Sequence, residues 1–187
     1  MPSRTRIVCL HEGKKGRSID PLFITKLLKT LDPTWIRPWD GSNVVRTVDC
    51  GGRSELIRRM PSELETCNAV GSDTTLMVWA DLDHDAGTPD NLREKFWKEA
   101  RSAGISKADF DKVVFVFAKD RLENWIEYLE AGKTDEAKEG TRVKKPKQAS
   151  DAAKQLAKRC KGEKGPNLPP SLEWSCQNWR ALCQRMG

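Results

Sequence analysis

Four short apolar segments, each followed by a turn and then by a helical pattern, constrain the fold of this chain more than any other feature. They run from Arg6 to Leu10, from Val44 to Val48, from Thr74 to Ala80 and from Val113 to Ala118. The third has almost no polar interruption, as expected of a strand that is covered on both faces. Strands that alternate with helices in this way predict crossover connections and a mainly parallel sheet.

Apolar residues recur at helical spacing after each of these segments, which predicts a helix after every strand. The first pattern stops at Asp32-Pro33 and comprises Leu22, Phe23, Leu27, Leu28 and Leu31. Further helices are expected over Ser54–Leu64, with an interruption near Pro61, and over Pro89–Ser102, Leu122–Leu129, Ala149–Lys161 and Ser171–Arg185.

Together these elements predict an α/β domain over residues 1–132, with an open, mainly parallel, four-stranded Rossmann-like sheet flanked by helices. A chain of 187 residues is long enough for one such core but too short for two full-sized α/β domains. Apolar periodicity then disappears, and residues 133–148 are expected to form a basic linker or mobile loop. Residues 149–187 are expected to form a small helical extension that docks on the α/β domain.

Positive charge is concentrated in one region of the chain. Between Lys138 and Lys164 there are ten Lys or Arg and three Asp or Glu, a local balance of +7 in a chain of net charge +6. Such a stretch is either a solubilising face or an electrostatic patch for phosphates or an acidic partner. On the second interpretation the chain binds nucleic acid in a salt-dependent way. The predicted contacts are Lys144, Lys145, Lys147, Lys154 and Lys158.

No segment of the sequence has the length of a membrane span, and the apolar run Ile7–Leu10 is too short for the core of a signal peptide. The sequence therefore predicts a cytoplasmic protein without a membrane partner. The six cysteines contain no Cys-x-x-Cys pair, and with two histidines there is no zinc-finger spacing. We expect the cysteines to be reduced thiols with a packing role.

Acidic residues follow three of the four predicted strands. Glu12 follows the first strand. Asp81, Asp83 and Asp85 follow the third, and Glu123 lies one turn into the helix after the fourth. Because the functional groups of an open α/β sheet collect beyond the carboxyl ends of its strands, we expect these acids to meet at one edge. Asp81 and Asp83 can point to the same side while the residue between them turns to the interior.

Ionised carboxylates at this spacing repel one another unless a cation lies between them. Two such groups about 5 Å apart repel by roughly 3 kcal/mol at an effective dielectric constant of about 20. A divalent cation removes this repulsion, and an all-oxygen ligand set favours Mg²⁺ or Mn²⁺ over Zn²⁺. The alternative is a solvated acidic loop, in which the Asp-x-Asp-x-Asp-x-Gly pattern of Asp81–Gly87 also occurs. An EF-hand is excluded because the pattern follows a strand.

Two glycine-containing turns could hold phosphate oxygens near these acids. The first, Gly13–Ser18, offers backbone N–H groups and the cations Lys14, Lys15 and Arg17, although it is not a Walker loop. It could equally be a flexible connection between strand and helix. In the second turn, Gly51-Gly52-Arg53, the glycines could simply permit positive φ, with Arg53 as a possible phosphate contact.

Taken in order, these motifs resemble the Toprim fold shared by topoisomerases, primases, recombination factors and overcoming-lysogenisation-defect nucleases. They are a strand ending in Glu12-Gly13, a Gly-Gly turn after the second strand, and an apolar strand ending in Asp81-Leu82-Asp83. The segment Lys119–Trp125 also resembles a Glu-x-Trp motif of small Toprim-like prokaryotic proteins. Members of that group are often encoded beside ATPases in phage-defence loci. The resemblance covers roughly residues 5–130.

This resemblance implies that Glu12 acts as general acid or base and that Asp81 and Asp83 hold Mg²⁺ during phosphodiester cleavage or transfer. By the same resemblance, Glu12 belongs to the metal-binding group as well. The loop after Glu12 is longer than the common Glu-Gly-x-x-Asp pattern, which leaves the equivalence of Asp20 open. The predicted metal ligands are Glu12, Asp81, Asp83 and Asp85, and the secondary candidates for this site are Glu123 and Lys119.

On this basis the sequence predicts a Mg²⁺-dependent, Toprim-like nuclease, a hydrolase that acts on DNA or RNA as the effector of an anti-phage defence complex with an ATPase. The alternative is a non-catalytic Toprim-like subunit that assembles with an ATPase and is regulated by it. Trp174 and Trp179 are either interface anchors or intramolecular packing residues. A third class, a small-molecule phosphatase or kinase, lacks a convincing nucleotide loop or aspartyl nucleophile.

Overall fold

A computed structural model of the chain describes residues 6–14, 18–31, 44–70, 74–119, 121–143 and 145–186, except for the side chains of His84 and of residues 181–186. Three of the cations predicted to contact phosphate lie outside the described residues. They are Lys15, Arg17 and Lys144.

Four strands form one sheet: β1 (Ile7–His11), β2 (Val45–Asp49), β3 (Thr75–Leu82) and β4 (Val114–Lys119). Their order is β2-β1-β3-β4, and every pair is parallel. This confirms the predicted α/β class with an open parallel sheet. Since β1 lies between β2 and β3, the residues that follow β1 and β3 emerge side by side at the carboxyl edge of the sheet.

Seven α-helices lie in the described part of the chain. They are α1 (Asp20–Leu31), α2 (Arg53–Val70), α3 (Pro89–Ser102), α4 (Lys107–Phe110), α5 (Leu122–Ala131), α6 (Pro146–Cys160) and α7 (Pro170–Met186). A 3₁₀ turn at His84–Ala86 connects β3 to α3. The turn and the short helix α4 are both absent from the predicted elements, because segments of one turn are too short for helical periodicity.

The predicted interruption near Pro61 is wrong, because α2 continues through this residue to Val70. Pro61 is buried together with Met60 and Leu64, and this packing outweighs the one hydrogen bond that a proline cannot donate. In α1, Leu22 is 41% exposed although it belongs to the predicted apolar pattern. The buried face of that helix consists of Phe23, Ile24, Leu27 and Leu28.

Apolar side chains cover both faces of the sheet. Alternate residues of β1 enter opposite clusters: Ile7 and Cys9 pack with α1, α5, α6 and α7, whereas Val8 and Leu10 pack with α2, α3 and α4. All five residues of β1 are buried. Coverage of both faces explains why β1, β3 and β4 are almost continuously apolar in sequence, whereas the edge strand β2 contains Arg46 and Thr47 and is less buried.

Helix α7 covers the outer edge of β4 with polar side chains. The Ser175 Oγ accepts a hydrogen bond from the Phe117 N–H at 3.1 Å, and the Ser171 Oγ accepts one from the Lys119 N–H at 3.1 Å. The Asn178 amide donates to the Phe115 carbonyl at 2.8 Å. The backbone groups that point outward from an edge strand therefore find partners within the chain.

The two tryptophans of α7 pack within the chain. Trp179 is 3% exposed and lies 5.4 Å from Trp79, while the half-buried Trp174 stacks on Phe117 with ring centroids 5.2 Å apart. Of the two interpretations of Trp174 and Trp179, these contacts support intramolecular packing. The predicted boundaries of the α/β domain at residue 132 and of the linker at residue 148 stay predictions. Glu136, in the predicted linker, accepts a hydrogen bond from the Ser171 hydroxyl.

The cysteines whose side chains the structure describes, Cys9, Cys50, Cys67, Cys160 and Cys176, are all free thiols. Burial raises the pKa of the Cys9 thiol well above its ordinary value, which suits a packing role. No helix within the described ranges combines the length and apolar character that a membrane crossing requires.

Candidate functional site

The acidic side chains singled out from the sequence approach one another at the carboxyl edge of the sheet. Glu12 directly follows β1, Asp81 is the penultimate residue of β3, and Asp83 follows that strand. The Glu12 Oε1 atom accepts a hydrogen bond from the Asp81 backbone N–H at 3.2 Å. The expectation that Glu12 and Asp81 lie together at one edge therefore agrees with the structure.

A small cavity lies where these side chains meet. Its volume is about 10 Å³, roughly the space that one water molecule requires. Three acidic residues, Glu12, Asp20 and Asp81, line it together with apolar residues that include Trp79 and Leu122. Asp20, whose equivalence the sequence left open, thus belongs to the same site.

Asp83 has a different environment from Asp81. It follows the strand, its side chain is 55% exposed, and it does not line the cavity. The expectation that Asp81 and Asp83 face one pocket is therefore met only by Asp81. Asp81 still belongs to β3, which extends to Leu82, whereas Asp83 lies beyond the strand and its carboxylate pairs with Arg53.

Arg53 joins the acids across this edge. Its Nε donates to Glu12 Oε1 at 3.1 Å, and its Nη2 donates to the Asp81 backbone carbonyl at 2.6 Å and to Asp83 Oδ2 at 2.7 Å. The Arg53 side chain is 20% exposed and that of Glu12 is 16% exposed. A phosphate role for Arg53 stays a prediction, since its guanidinium is occupied here by carboxylate and carbonyl oxygens.

The carboxyl groups of Asp81 and Glu12 bind protons more tightly than free carboxyl groups do. Burial, followed by the charges of Glu12, Asp20, Glu123 and Asp83 in that order, raises the pKa of Asp81 to about 8. Burial also raises the pKa of Glu12, a rise that Arg53 opposes. Within the described residues no cation and no hydrogen-bond donor contacts the Asp81 carboxyl.

The raised pKa of Asp81 predicts an unusual pH dependence of stability. The native protein binds a proton that the unfolded chain releases, so the free energy of unfolding should fall as pH rises between about 4 and about 8. One such group changes it by at most about 1.4 kcal/mol for each pH unit. Urea denaturation in the presence of a chelator measures this slope.

The control for this prediction is the Asp81→Asn variant, in which the slope should be distinctly smaller. Burial raises the pKa of Glu12 and of Glu123 in the same direction, so part of the slope should persist. Asp90→Asn, at the start of α3, should leave the slope as it is. Equal slopes in the wild-type and Asp81→Asn proteins would contradict this account of Asp81.

The donor set of this edge fits a hard divalent cation, because it consists of carboxylate and carbonyl oxygens. The arrangement is not preformed for one: no group of three or more His, Cys, Asp or Glu side chains in the described ranges could hold a metal ion as they stand. Arg53 is the cation that contacts Glu12 and Asp83 here. Two of the carboxylates in this donor set, those of Glu12 and Asp83, are therefore already paired with a cation.

His11 is a buried polar residue of this edge that the sequence arguments did not assign. The Gly13 backbone N–H donates to its Nδ1 at 3.2 Å, which leaves the ring proton of a neutral imidazole on Nε2. That Nε2 lies 2.9 Å from Asp49 Oδ1, at an angle outside that of a well-formed hydrogen bond. His11 thereby links the end of β1 to the end of β2 and supports the position of the neighbouring Glu12.

The remaining predicted residues differ in their distance from the cavity and in their exposure to solvent. Glu123, in the first turn of α5, is close enough for its charge to raise the pKa of Asp81. Asp85 is exposed in the 3₁₀ turn and does not line the cavity. Lys14 is exposed, whereas Lys119 is half-buried at the end of β4.

The basic segment approaches the acids at one point. Among the charges that act on Glu123 are those of Arg121 and Arg142, both of which lower its pKa against the larger effect of burial. Arg142 precedes α6. Four of the lysines predicted to contact nucleic acid lie in α6 or directly before it and are exposed: Lys145, Lys147, Lys154 and Lys158.

No family model matches the chain, and no curated protein matches it. Among solved structures, the C-terminal region of the Burkholderia pseudomallei OLD protein is similar, with 12% sequence identity and a TM-score of 0.42. The match covers 96% of this chain and 98% of that chain. At this level of identity and superposition, the likeness does not define an activity for this chain.

Proposed function

We propose that the chain is a divalent-metal-dependent, Toprim-like nuclease that cleaves phosphodiester bonds of DNA or RNA. The observation that carries this proposal is the meeting of Glu12, Asp20 and Asp81 around one cavity at the carboxyl edge of a parallel sheet. Ionising three buried or half-buried carboxyl groups in one place is unfavourable, and of these three described side chains Arg53 contacts that of Glu12. A bound Mg²⁺ or Mn²⁺ ion would offset the remaining repulsion between these carboxylates.

In this proposal Asp81 and Asp83 hold the metal, with Glu12 and Asp85 as further ligands. When bound, the ion supplies charge neutralisation at the phosphate and a more acidic water. Glu12 also transfers the proton as general acid or base, the role that the sequence resemblance implies for it. The apolar side of the cavity, with Trp79 and Leu122, excludes bulk water from these carboxylates.

The exposed lysines of α6 and the preceding segment are proposed to bind the nucleic-acid backbone. Lys145, Lys147 and Lys158 form no ion pair in the described part of the chain, while Lys154 lies 3.5 Å from Asp151. Lysines bind phosphate as point charges, so this surface would accept DNA or RNA with little dependence on sequence. Arg142, whose charge acts on Glu123, connects this surface with the acids.

A direct test of the proposed activity is cleavage of plasmid DNA, linear DNA and RNA by the purified protein. Cleavage should require Mg²⁺ or Mn²⁺, should stop when a chelator is added, and should return with excess metal. If no substrate is cut by the protein alone or by its complex with a neighbouring ATPase, the nuclease proposal is wrong.

Replacing the lysines should weaken binding to nucleic acid in a salt-dependent way. Each phosphate contact that is lost should reduce the slope of log affinity against log salt by about 0.9 on duplex DNA. Lys147→Ala and Lys158→Ala test this by fluorescence anisotropy over a range of salt concentrations. Lys98→Ala, an exposed lysine of α3, is the matched control. If Lys147→Ala and Lys158→Ala keep the slope of the Lys98→Ala protein, nucleic acid does not bind this surface.

The proposed nuclease also has a protein partner, an ATPase. The sequence resemblance supports an effector role in anti-phage defence, together with an ATPase that controls the nuclease. Co-sedimentation with an ATPase encoded next to this chain, followed by cleavage assays on the free and bound forms, would test the partnership.

One observation favours the alternative of a non-catalytic subunit. Arg53 already neutralises Glu12 and Asp83, and no preformed metal-binding group exists among the described side chains. A purely structural acid cluster satisfied by arginine would look the same. Calorimetric titration with Mn²⁺ separates the two, since a non-catalytic subunit would take up no metal while still binding its ATPase.

A further inference from the structure

We infer that Arg53 is an internal cation that competes with the divalent metal for Glu12 and Asp83, so that the metal-free protein is held in a closed arrangement. This inference rests on the proposed function. It goes further by assigning a regulatory role to a residue that the sequence suggested only as a phosphate contact.

The position of Arg53 is fixed by the turn that precedes it. Gly51 and Gly52 have φ values of 73° and 146°, which residues other than glycine rarely adopt. The Gly51 N–H donates to the Gly13 carbonyl at 3.2 Å, and the Cys50 N–H donates to the His11 carbonyl at 2.9 Å. The turn after β2 is thus tied to the end of β1, and α2 begins beside Glu12.

A cation at this point is unfavourable for the helix itself. Arg53 is the first residue of the 18-residue helix α2, where the helix dipole favours negative charge. Its guanidinium instead turns to oxygens of three other positions, those of Glu12, Asp81 and Asp83. The position of the Arg53 guanidinium is therefore explained by its contacts with the acidic residues at the edge of the sheet, because a positive charge does not stabilise the N-terminus of α2.

Arg53 and a metal ion exclude one another at these oxygens. Mg²⁺ binds oxygen at about 2.0–2.1 Å in a nearly ideal octahedron, and one oxygen of each carboxylate, Glu12 Oε1 and Asp83 Oδ2, now accepts a hydrogen bond from Arg53. Two cations next to each other also repel. The guanidinium therefore opposes the binding of a metal ion between Glu12 and Asp83, and its movement away from both carboxylates favours that binding.

Displacement of Arg53 would couple metal binding to nucleic-acid binding. Once released, the guanidinium lies at the rim of the site and can pair with a phosphate of the substrate, a contact that arginine makes well. A phosphate that holds Arg53 makes the carboxylates available to the metal. By linkage, nucleic acid then raises the affinity for metal, and metal raises the affinity for nucleic acid by the same factor.

The test is titration of the purified protein with Mn²⁺ alone, by calorimetry and by electron paramagnetic resonance. If the closed arrangement holds about nine-tenths of the molecules, removing the competitor should tighten the apparent Kd about tenfold. Arg53→Gln should show this gain. Arg53→Lys, which keeps the charge but cannot bridge the same oxygens, should fall between Arg53→Gln and the wild type.

Arg59→Gln is the matched control. Arg59 lies on the same helix and pairs with the largely buried Glu63 at 3.1 Å, and Arg46 still pairs with Glu63 at 2.9 Å when Arg59 is removed. This variant loses the same charge without touching the acids of the site. Its affinity for Mn²⁺ should therefore stay close to that of the wild type. Circular dichroism confirms that each variant is folded before it is titrated.

Three results would decide between the inference and the function on which it rests. Tighter Mn²⁺ binding in Arg53→Gln than in Arg59→Gln supports the competition. Equal or weaker binding in Arg53→Gln, with measurable binding in the wild type, overturns the competition but leaves the metal site in place. If neither the wild type nor any variant binds Mn²⁺, the metal-dependent function itself is wrong, and the competition falls with it.

Discussion

Replacing Asp81 with asparagine should lower metal-dependent cleavage of nucleic acid about a thousandfold. A bound metal contributes several kcal/mol of transition-state stabilisation, and each 1.36 kcal/mol corresponds to a factor of ten in rate. Asp81 is the carboxylate that lines the cavity together with Glu12 and Asp20. Glu12→Gln should have a comparable effect, because this change removes both a ligand and the group proposed to transfer the proton.

Asp90→Asn is the control for this experiment, since it removes a carboxylate from the exposed start of α3. Cleavage rates are compared at saturating Mg²⁺ on the same DNA and RNA substrates, with far-ultraviolet circular dichroism to verify folding. If Asp81→Asn and Glu12→Gln both cleave as fast as Asp90→Asn, the catalytic assignment is wrong.

The largest expected effect on stability comes from Trp125→Ala, which should lower the free energy of unfolding by about 3–5 kcal/mol. Trp125 is fully buried and lies 6.1 Å from Trp79 and 6.2 Å from Trp179, measured between ring centroids. It joins helix α5 to strand β3 and helix α7. A loss of this size is a large fraction of the stability of an ordinary domain.

Trp125→Phe separates the ring from its N–H group. The Trp125 Nε1 donates to the Ser171 Oγ at 2.9 Å, and the loss of this bond should destabilise by about 1 kcal/mol in addition to the smaller ring volume. Urea denaturation followed by circular dichroism measures both variants. A loss below about 1 kcal/mol for Trp125→Ala would mean that α7 does not dock on the sheet as described.

The fold could be predicted from sequence because its signal is repeated four times. Three strands are apolar runs, and β2 is a short segment rich in β-branched residues. Each following helix has its own periodicity, so errors at single boundaries do not change the architecture. The errors that did occur have local causes. A buried proline is tolerated inside α2, and β3 extends to Leu82 because the strand remains paired with β4 up to Lys119.

The candidate site could be predicted in part. Glu12 and Asp81 stand at strand ends, and the parallel order brings strand ends together. The partnership of Arg53 with Glu12 could not be predicted, because the two residues are 41 positions apart and nothing in the local sequence distinguishes a carboxylate contact from a phosphate contact. Asp20 was left open for a similar reason: the loop before α1 has an unusual length, and only the fold shows where it ends.

His11 illustrates another limit of sequence reasoning. It is the last residue of a buried strand, where a histidine is as consistent with packing as with chemistry. Its contacts with Gly13 and Asp49 exist only because β1 and β2 are adjacent and in register at this point. The register that pairs His11 with Asp49 depends on the whole sheet and cannot be read from either strand alone.

The central claim is that the acids at the carboxyl edge of the sheet hold a divalent metal ion. Crystals soaked in Mn²⁺ and measured for anomalous scattering would test this most directly. The account predicts an ion bound by the Asp81 carboxylate together with Glu12 or Asp83, and an Arg53 side chain that has left both of those carboxylates. Crystals that show no ion at this edge, with Arg53 still bound to Glu12 and Asp83 at saturating Mn²⁺, would contradict the claim.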